Sequence, residues 1–286
     1  LRERLIPGLV SGELVFAFAT TEPDASSDLS VDAMQTVATE TADGFVIDGR
    51  KRWITNSPVA DWVTVLCKSS GRGMTMLAVD LKNSPGIRIG TPDLKMGHRG
   101  QLTADIVFDS VAVPAANVLG QTGAGLSVAL ATLAYGRVGI AAAGVGVAQA
   151  ALDLAVERLR TRHVFGKPLG AMQHWQYRLA ERSTELECAR ALYQKAALRV
   201  DSGEGVAEPE ASMAKTFATR LAGDLARDAI QVYGGYGFAR KVSETGETFR
   251  LEELYRDAKI LEIFEGANEV LLWVIARQLI GRDVTG

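Results

Sequence analysis

Glu265 stands directly after Ile263 and Phe264 and directly before Gly266, in the run Leu254-Tyr-Arg-Asp-Ala-Lys-Ile-Leu-Glu-Ile-Phe-Glu-Gly-Ala-Asn-Glu269. Apolar neighbours desolvate a carboxylate and raise its pKa toward the range in which a general base works at neutral pH. Gly266 has no side chain to hold a ligand off the backbone. An acidic residue after two apolar ones is equally the solvent edge of a helix, so residue chemistry alone leaves both readings open.

Other stretches carry polar groups at usable spacing. Phe18-Ala-Thr-Thr-Glu-Pro-Asp-Ala-Ser-Ser-Asp28 leaves a strand for a polar turn. Hydroxyls of Thr20, Thr21, Ser26 and Ser27, with free backbone N–H groups, could hold phosphate or carbonyl oxygens there; a plain Asx or Ser turn uses the same residues. Lys51-Arg-Trp-Ile-Thr-Asn56 sets Trp53 and Thr55 two apart on a strand, hence on one face. Trp53 could cover a planar ring whose polar edge Thr55 reaches, or simply fill a core. Arg162-His-Val-Phe-Gly-Lys167 offers a guanidinium suited to a bidentate grip on phosphate and, in Phe165, a stacking face. An Arg at a helix C-terminus also complements the helix dipole. Gln231-Val-Tyr-Gly-Gly-Tyr-Gly237 has bare Gly234 and Gly235, which let a dinucleotide come close or cap a helix.

His98, His163 and His174 form no ligand pattern, so no metal site is expected. Cys67 and Cys188, far apart, are expected to be reduced and buried, in a reducing compartment. With 47% hydrophobic and 23% charged residues, the 286-residue chain has the composition of a soluble globular protein with a real core. A net charge of −3 gives no basic character for nucleic acid or an anionic membrane. Arg50-Lys51-Arg52 reads as a solvated strand edge. The Ala-rich segment near Ile140 is interrupted by glycines and is not expected to span a membrane, and no secretory signal is visible.

Two kinds of element must position these groups. From Leu14 to about Val113 the period is two, giving strands over Leu14–Thr20, Gln35–Thr41, Phe45–Ile54, Trp62–Cys67, Met74–Asp80, Ile87–Ile89 and Asp105–Phe108. Asp43-Gly44 and Asp48-Gly49 read as turns bounding a short hairpin arm. This spacing predicts a small antiparallel β-barrel or sandwich. Further on, Val138, Val145, Leu152 and Leu159 recur every seven residues with Ala141, Ala148 and Ala155 between them. Leu179, Leu186, Tyr193 and Val200 repeat the spacing, and Phe217, Leu221, Leu225 and Ala229 write a third helix. Narrow, alanine-rich stripes predict a closely packed four-helix up-down bundle, with Asp201–Gly205 as a turn. The fold class is thus multidomain α+β: residues 14–118 a β-domain, 119–286 a helical bundle. Residues 1–13 read as the last turns of a helix ending at Pro7-Gly8, the remnant of an upstream helical domain.

The run around Glu265 resembles the C-terminal signature of the acyl-CoA dehydrogenases, in which the Glu of a (Tyr/Phe)-Glu-Gly triplet is the catalytic base. The Thr20–Asp28 loop, the Lys51–Asn56 strand, the Arg162–Lys167 loop and the Gln231–Gly237 segment are similar to further family stretches, in the family's order. The resemblance implies FAD, with Phe18, Thr20, Thr21, Ser26, Ser27, Trp53, Thr55, Arg162, Phe165, Gln173, Gln231, Gly234, Gly235, Ala267 and Glu269 at the cofactor. Arg162 and Phe165 would reach the flavin nucleotide of a neighbouring subunit. Ser27, Arg137, Phe264 and Gly266 would meet the substrate, with Glu265 as base. Ser26 stands where the family has glycine, and Ala134 where an acidic residue is common three positions before Arg137. Some relatives carry their base on the helix of Gly136, where this chain has no carboxylate. The stretch 239–253 is longer than the usual family link and reads as an exposed loop near the mouth of the site.

The implied reaction is trans α,β-dehydrogenation of an acyl thioester, in fatty or branched acyl metabolism. An acyl group on a carrier protein instead of CoA, a flavin monooxygenase or oxidase on the same fold, and a non-catalytic truncated homologue are the alternatives. The resemblance also implies a homodimer or homotetramer sharing FAD sites, an electron-transferring flavoprotein as acceptor, and a cytoplasmic place (the mitochondrial matrix in a eukaryote).

Overall fold

The computed structural model describes residues 1–25, 27–69, 71, 73–203 and 208–285. They fall into two compact units, Leu1–Lys95 with Arg99–Thr132, and Met96–His98 with Leu133–Gly286.

The first unit opens with helix α1 (Arg2–Ser11), which runs through Pro7 and Gly8 and stops only at Gly12, in the left-handed region at φ 79°. The stop expected at Pro7-Gly8 is therefore displaced: Gly12, free of a Cβ, is the residue that ends the helix. Strands β1 (Phe16–Ala19), β2 (Val37–Glu40), β3 (Gly44–Thr55), β4 (Trp62–Ser69), β5 (Met74–Asp80), β6 (Ile87–Ile89), β7 (Thr103–Pro114) and β8 (Val118–Leu119) follow. They form one sheet in the order β6-β7-β3-β2-β4-β5-β8, with β1 beside β4. Most pairings are antiparallel, but β1 and β2 both run parallel to β4. Parallel neighbours need long connections, which an alternation pattern does not reveal. Inward residues such as Ile47, Val63, Val65, Leu77 and Ile106 make the core.

Asp43-Gly44 turns the chain, with Thr41 N–H donating to Gly44 O at 2.9 Å. Asp48-Gly49 does not, and the hairpin arm expected between the two pairs is not formed. β3 continues past it with a register shift against β7, and a Cβ on Gly49 would lie 2.6 Å from Thr36 Cα. The glycine serves a bulge and a close backbone approach instead of a turn.

A second shift, between Lys51 and Ile54, places both of these side chains inside and leaves Arg52 and Trp53 outside, with Trp53 at φ 60°. The basic triplet is accordingly not a solvated edge. Lys51 is fully buried, its Nζ 2.8 Å from Glu22 Oε1 and 3.1 Å from Thr20 O. Arg50 and Arg52 both bind Asp105. A charge this deep requires a partner, and Glu22 supplies it.

The second unit is helical: α2 (Gly125–Thr161, entering from the first unit), α3 (Gln173–Asp201), α4 (Glu208–Tyr233), α5 (Gly235–Phe238), α6 (Leu251–Leu261), α7 (Asn268–Ile280) and α8 (Arg282–Thr285). Ala141, Val145, Ala148, Leu152, Ala155 and Leu159 of α2 bury against Leu179, Leu186 and Ala189 of α3 and Ala214, Ala218, Leu221, Leu225 and Ala229 of α4. Small residues let the axes close up: a Cβ on Gly144 would stand 3.0 Å from the Ala218 backbone. The glycines do not break α2, which by length and composition alone is apolar enough to cross a membrane. Its alanine stripe is the core of this bundle. Cys188 is exposed, not buried, on the outer face of α3. Of the expected turn 201–205, Glu204 and Gly205 lie outside the described residues.

Candidate active site

Helix α6 ends at Leu261 and α7 begins at Asn268; the chain reverses between them through Glu265 at φ 55° and Gly266 at φ 93°. Left-handed backbone is costly for a residue with a Cβ and persists only where surrounding groups impose it. Two cations do so here. Arg137 Nε donates to Glu265 O at 3.0 Å, and Lys215 Nζ donates to Gly266 O at 2.8 Å and Asn268 Oδ1 at 3.0 Å. Consecutive carbonyls are held by two different helices.

The reversal aims the Glu265 carboxylate at α2, where only a glycine leaves room: a Cβ on Gly136 would lie 2.7 Å from Glu265 Oε2. Burial pushes the Glu265 carboxyl above the usual range, against the pull of Arg137 and Lys215. The burial does not come from both sequence neighbours, since Ile263 is largely exposed. Phe264 meets the His98 ring edge-on, centroids 6.3 Å apart. The Glu265 N–H has no acceptor among the described residues, so it is free to donate to a ligand. Arg137 Nη1 binds Glu208 Oε1 at 3.1 Å, so α4 provides the carboxylate that Ala134 does not. Ala267 is half-buried and Glu269 exposed at the start of α7.

Sequence reasoning missed Lys215 and Glu208. A signal existed for the first: a lysine set among Ala211, Ala214 and Ala218 on the apolar stripe of α4 has to be buried with partners.

A groove of about 670 Å³ in the same unit takes Arg158, Arg162, Gln231, Gly234 and Gly235 into its wall. Gly234, at φ 64°, stops α4, and a Cβ on either glycine would meet nothing within 4 Å. The Arg158 guanidinium carbon lies 5.1 Å from the Tyr233 ring and 5.2 Å from that of Tyr236, and its Nε is buried without a hydrogen-bond partner among the described residues. The 239–253 stretch bends back through a Lys241–Thr248 bridge and lays Phe249 on both tyrosines. Its Ala239 and Val242 line the groove. Phe165 and Gln173 are not in this wall: Phe165 is 95% exposed at φ 50°, and Gln173 Nε2 donates to Tyr177 OH at 2.5 Å.

In the first unit, Thr21 O accepts the Arg52 N–H at 2.9 Å, which docks the Thr20-Thr21 loop on β3. Glu22 accepts the N–H groups of Gln35 and Thr36 at 2.7 and 2.9 Å and closes the loop's far end. The Trp53 side chain is exposed on the outer face of β3, with the Arg52 guanidinium 3.6 Å over its ring. Thr55 is half-buried at the strand's end and Ser27 is exposed; Phe18 packs against the Met34, Leu66 and Met74 cluster. Ser26 lies outside the described residues.

A half-buried carboxylate raised toward neutrality, beside an unpaired amide, is equipment for moving a proton to or from carbon. With a groove of arginines and bare glycines suited to a nucleotide diphosphate, the class defined is an acid–base enzyme that uses a dinucleotide.

Comparison with known proteins narrows the class. Residues 17–111 match the acyl-CoA dehydrogenase middle domain and residues 123–280 the acyl-CoA dehydrogenase C-terminal domain. An acyl-CoA dehydrogenase of Bacillus subtilis is 39% identical over 97% of this chain and 72% of its own. A 3-(aryl)acrylate reductase of Clostridium sporogenes is also 39% identical, over 98% and 72%. The structure of butyryl-CoA dehydrogenase from Megasphaera elsdenii superposes with a TM-score of 0.89 at 37% identity, covering 98% of this chain and 71% of that one. The chain belongs to the acyl-CoA dehydrogenase family, FAD-dependent oxidoreductases acting on a CH–CH bond. Its own residues fit that cofactor: the unpaired Arg158 Nε and Arg162 are donors of the kind a flavin nucleotide's diphosphate requires, and the missing side chains of Gly234 and Gly235 let it come close, the Gly234 N–H itself being held by Ile230 O.

Proposed function

We propose that Glu265 is the general base that removes the α-proton of an acyl-CoA thioester, and that the chain catalyses trans α,β-dehydrogenation to the 2-enoyl thioester. FAD, when bound, supplies the acceptor for the β-hydride. The observation that carries the reading is the Glu265 carboxylate packed against Gly136, desolvated enough to be a base yet kept ionisable by Arg137 and Lys215. Its free N–H is available to the thioester oxygen, where negative charge develops as the proton leaves. Phe264 and Gly266 shape the approach, and Arg137 and Ser27 serve the substrate. Trp53, Thr55, Thr20 and Thr21 serve the isoalloxazine end of the cofactor, Gln231, Gly234 and Gly235 serve a nucleotide end, and Arg162 serves the flavin nucleotide of a neighbouring subunit. The 95% exposure of Phe165 supports a stacking role toward another subunit's nucleotide, and with it a homodimer or homotetramer. The electron acceptor fitting such a chain is an electron-transferring flavoprotein.

The similarity to an aryl-acrylate reductase favours one further reading, in which the same groups run in reverse. A Glu265 carboxyl with a raised pKa can return a proton to the α-carbon of an enoyl substrate, by microscopic reversibility.

The Glu265→Gln variant tests the assignment. It should bind flavin normally and lose reduction of that flavin by any acyl-CoA, measured anaerobically in a stopped-flow spectrometer. Bleaching at the native rate removes Glu265 from the role.

A further inference from the structure

Lys215 touches neither substrate nor cofactor in the chemistry above, yet its ammonium is wholly buried in the bundle. Burying an ammonium is costly unless something is gained from it. Its partners show what that is. Nζ reaches past its own helix to Gly266 O, in the turn that presents Glu265, and to Asn268 Oδ1, just after it. Asn268 is itself tied to Thr219, one helical turn beyond Lys215, with its Nδ2 donating to Thr219 Oγ1 at 3.1 Å. The lysine therefore anchors the left-handed 265–266 backbone from α4 while Arg137 anchors it from α2.

We propose that Lys215 is a positioning residue for the reaction: it holds the Glu265–Gly266 turn in its left-handed form and supplies the buried positive charge that keeps Glu265 ionised in an enclosed site. The inference rests on Glu265 being the base. Arg137 pulls on Glu265 more strongly, but it is shared with Glu208 at 3.1 Å. Among the described residues Lys215 meets no carboxylate directly: its two acceptors are a carbonyl and an amide oxygen, and of the carboxylates around it Glu265 couples to it most strongly, ahead of Glu262 and Glu269. The charged groups around the pair are Arg137 from α2, Lys215 from α4, and Glu262, Glu265 and Glu269 from the α6–α7 segment. Burial brings the lysine itself down to about 8, the side on which its charge could be lost in mildly alkaline solution.

Two variants separate charge from scaffolding, each read as the pH dependence of anaerobic flavin reduction by butyryl-CoA. Lys215→Gln keeps a hydrogen-bond donor and removes the charge. Asn268→Asp keeps the lysine and sets a carboxylate on it, cancelling the charge from the other side. Both should move the acid limb of the rate profile upward by about 1 to 3 pH units, as loss of one close opposite charge does, while Lys215→Arg returns it toward the native position. At a pH below the limb, moving the limb up by about one pH unit makes reduction roughly tenfold slower. If the limb stays in place in either neutralised variant that folds and binds flavin, Lys215 is only a structural latch and the proposal falls. Native flavin reduction by Glu265→Gln would instead remove the base assignment beneath it.

Discussion

The Glu265 carboxylate occupies the space that any side chain at residue 136 would need: a Cβ on Gly136 would lie 2.7 Å from Oε2 and 3.1 Å from Cδ. Gly136 sits inside a helix and has an ordinary backbone conformation, so its value is room and not flexibility. Gly136→Ala should therefore leave the helix intact, or strengthen it slightly by propensity, and displace the carboxylate. Flavin content should be native and flavin reduction by substrate at least about tenfold slower, because a small misplacement at the reacting atoms is expensive. A native rate in this variant would mean that the base does not work from the position seen here.

The bundle has its own buried charge. Asp228 of α4 accepts from Arg178 Nε at 2.9 Å and Arg182 Nε at 3.0 Å, and Arg182 also binds Asp224 and Glu185. Removing one member of such a network strands the others. Asp228→Ala should cost about 3 to 5 kcal/mol by urea unfolding, whereas Arg227→Ala, on an exposed i,i+3 pair with Asp224, should cost under about 1 kcal/mol.

These contrasts show what the sequence could convey. The seven-residue repeats specified α2 and α3, and the four-residue spacing of Phe217, Leu221, Leu225 and Ala229 specified α4, because one apolar face on each helix admits only close helix packing. Glu265 was visible through its local triplet. Lys215 and Glu208 were not, since each acts on a residue more than fifty positions away through hydrogen bonds that no local pattern encodes. Lys51 was misread for a similar reason: alternation on β3 breaks at a bulge, and the buried partner, Glu22, lies on another segment. Asp48-Gly49 has turn chemistry, but the competing demand was a backbone approach to Thr36.

The nucleotide groove makes a prediction that needs no turnover. Arg158 is held between two tyrosines with an unsatisfied donor, so the site is preorganised for an anion. Arg158→Ala should weaken binding of ADP to flavin-free protein by about tenfold or more, as expected for loss of a charge-assisted hydrogen bond. Phe249→Ala should weaken it less, because it removes packing behind Tyr233 and Tyr236 and not a donor. Calorimetric titration with ADP measures both, and equal affinities across the three proteins would locate the nucleotide elsewhere.

The Lys51–Glu22 pair sets the acid sensitivity of the sheet. Burial raises the Glu22 carboxyl, but Lys51 and the groups of Thr36 and Gln35 outweigh it, and the carboxyl ends below its ordinary 4.5. A carboxyl depressed by folding stabilises the native state above its unfolded pKa, and that stability is lost as pH falls through the folded value. Lys51 is also depressed, by burial first, below its ordinary 10.5; the sign is the same as for the carboxyl, and stability rises with pH across the alkaline window between its folded and unfolded values. Glu22→Gln should therefore destabilise the native protein by about 3 to 5 kcal/mol at pH 7, through an unpaired buried ammonium, and flatten the loss of stability below about pH 4.5. The double variant Glu22→Gln, Lys51→Met should recover part of that loss, since no charge is then stranded. Urea titrations from pH 3 to 8 check all three, and a double variant no more stable than Glu22→Gln would show that the cost lies in the loop's lost hydrogen bonds and not in the buried charge.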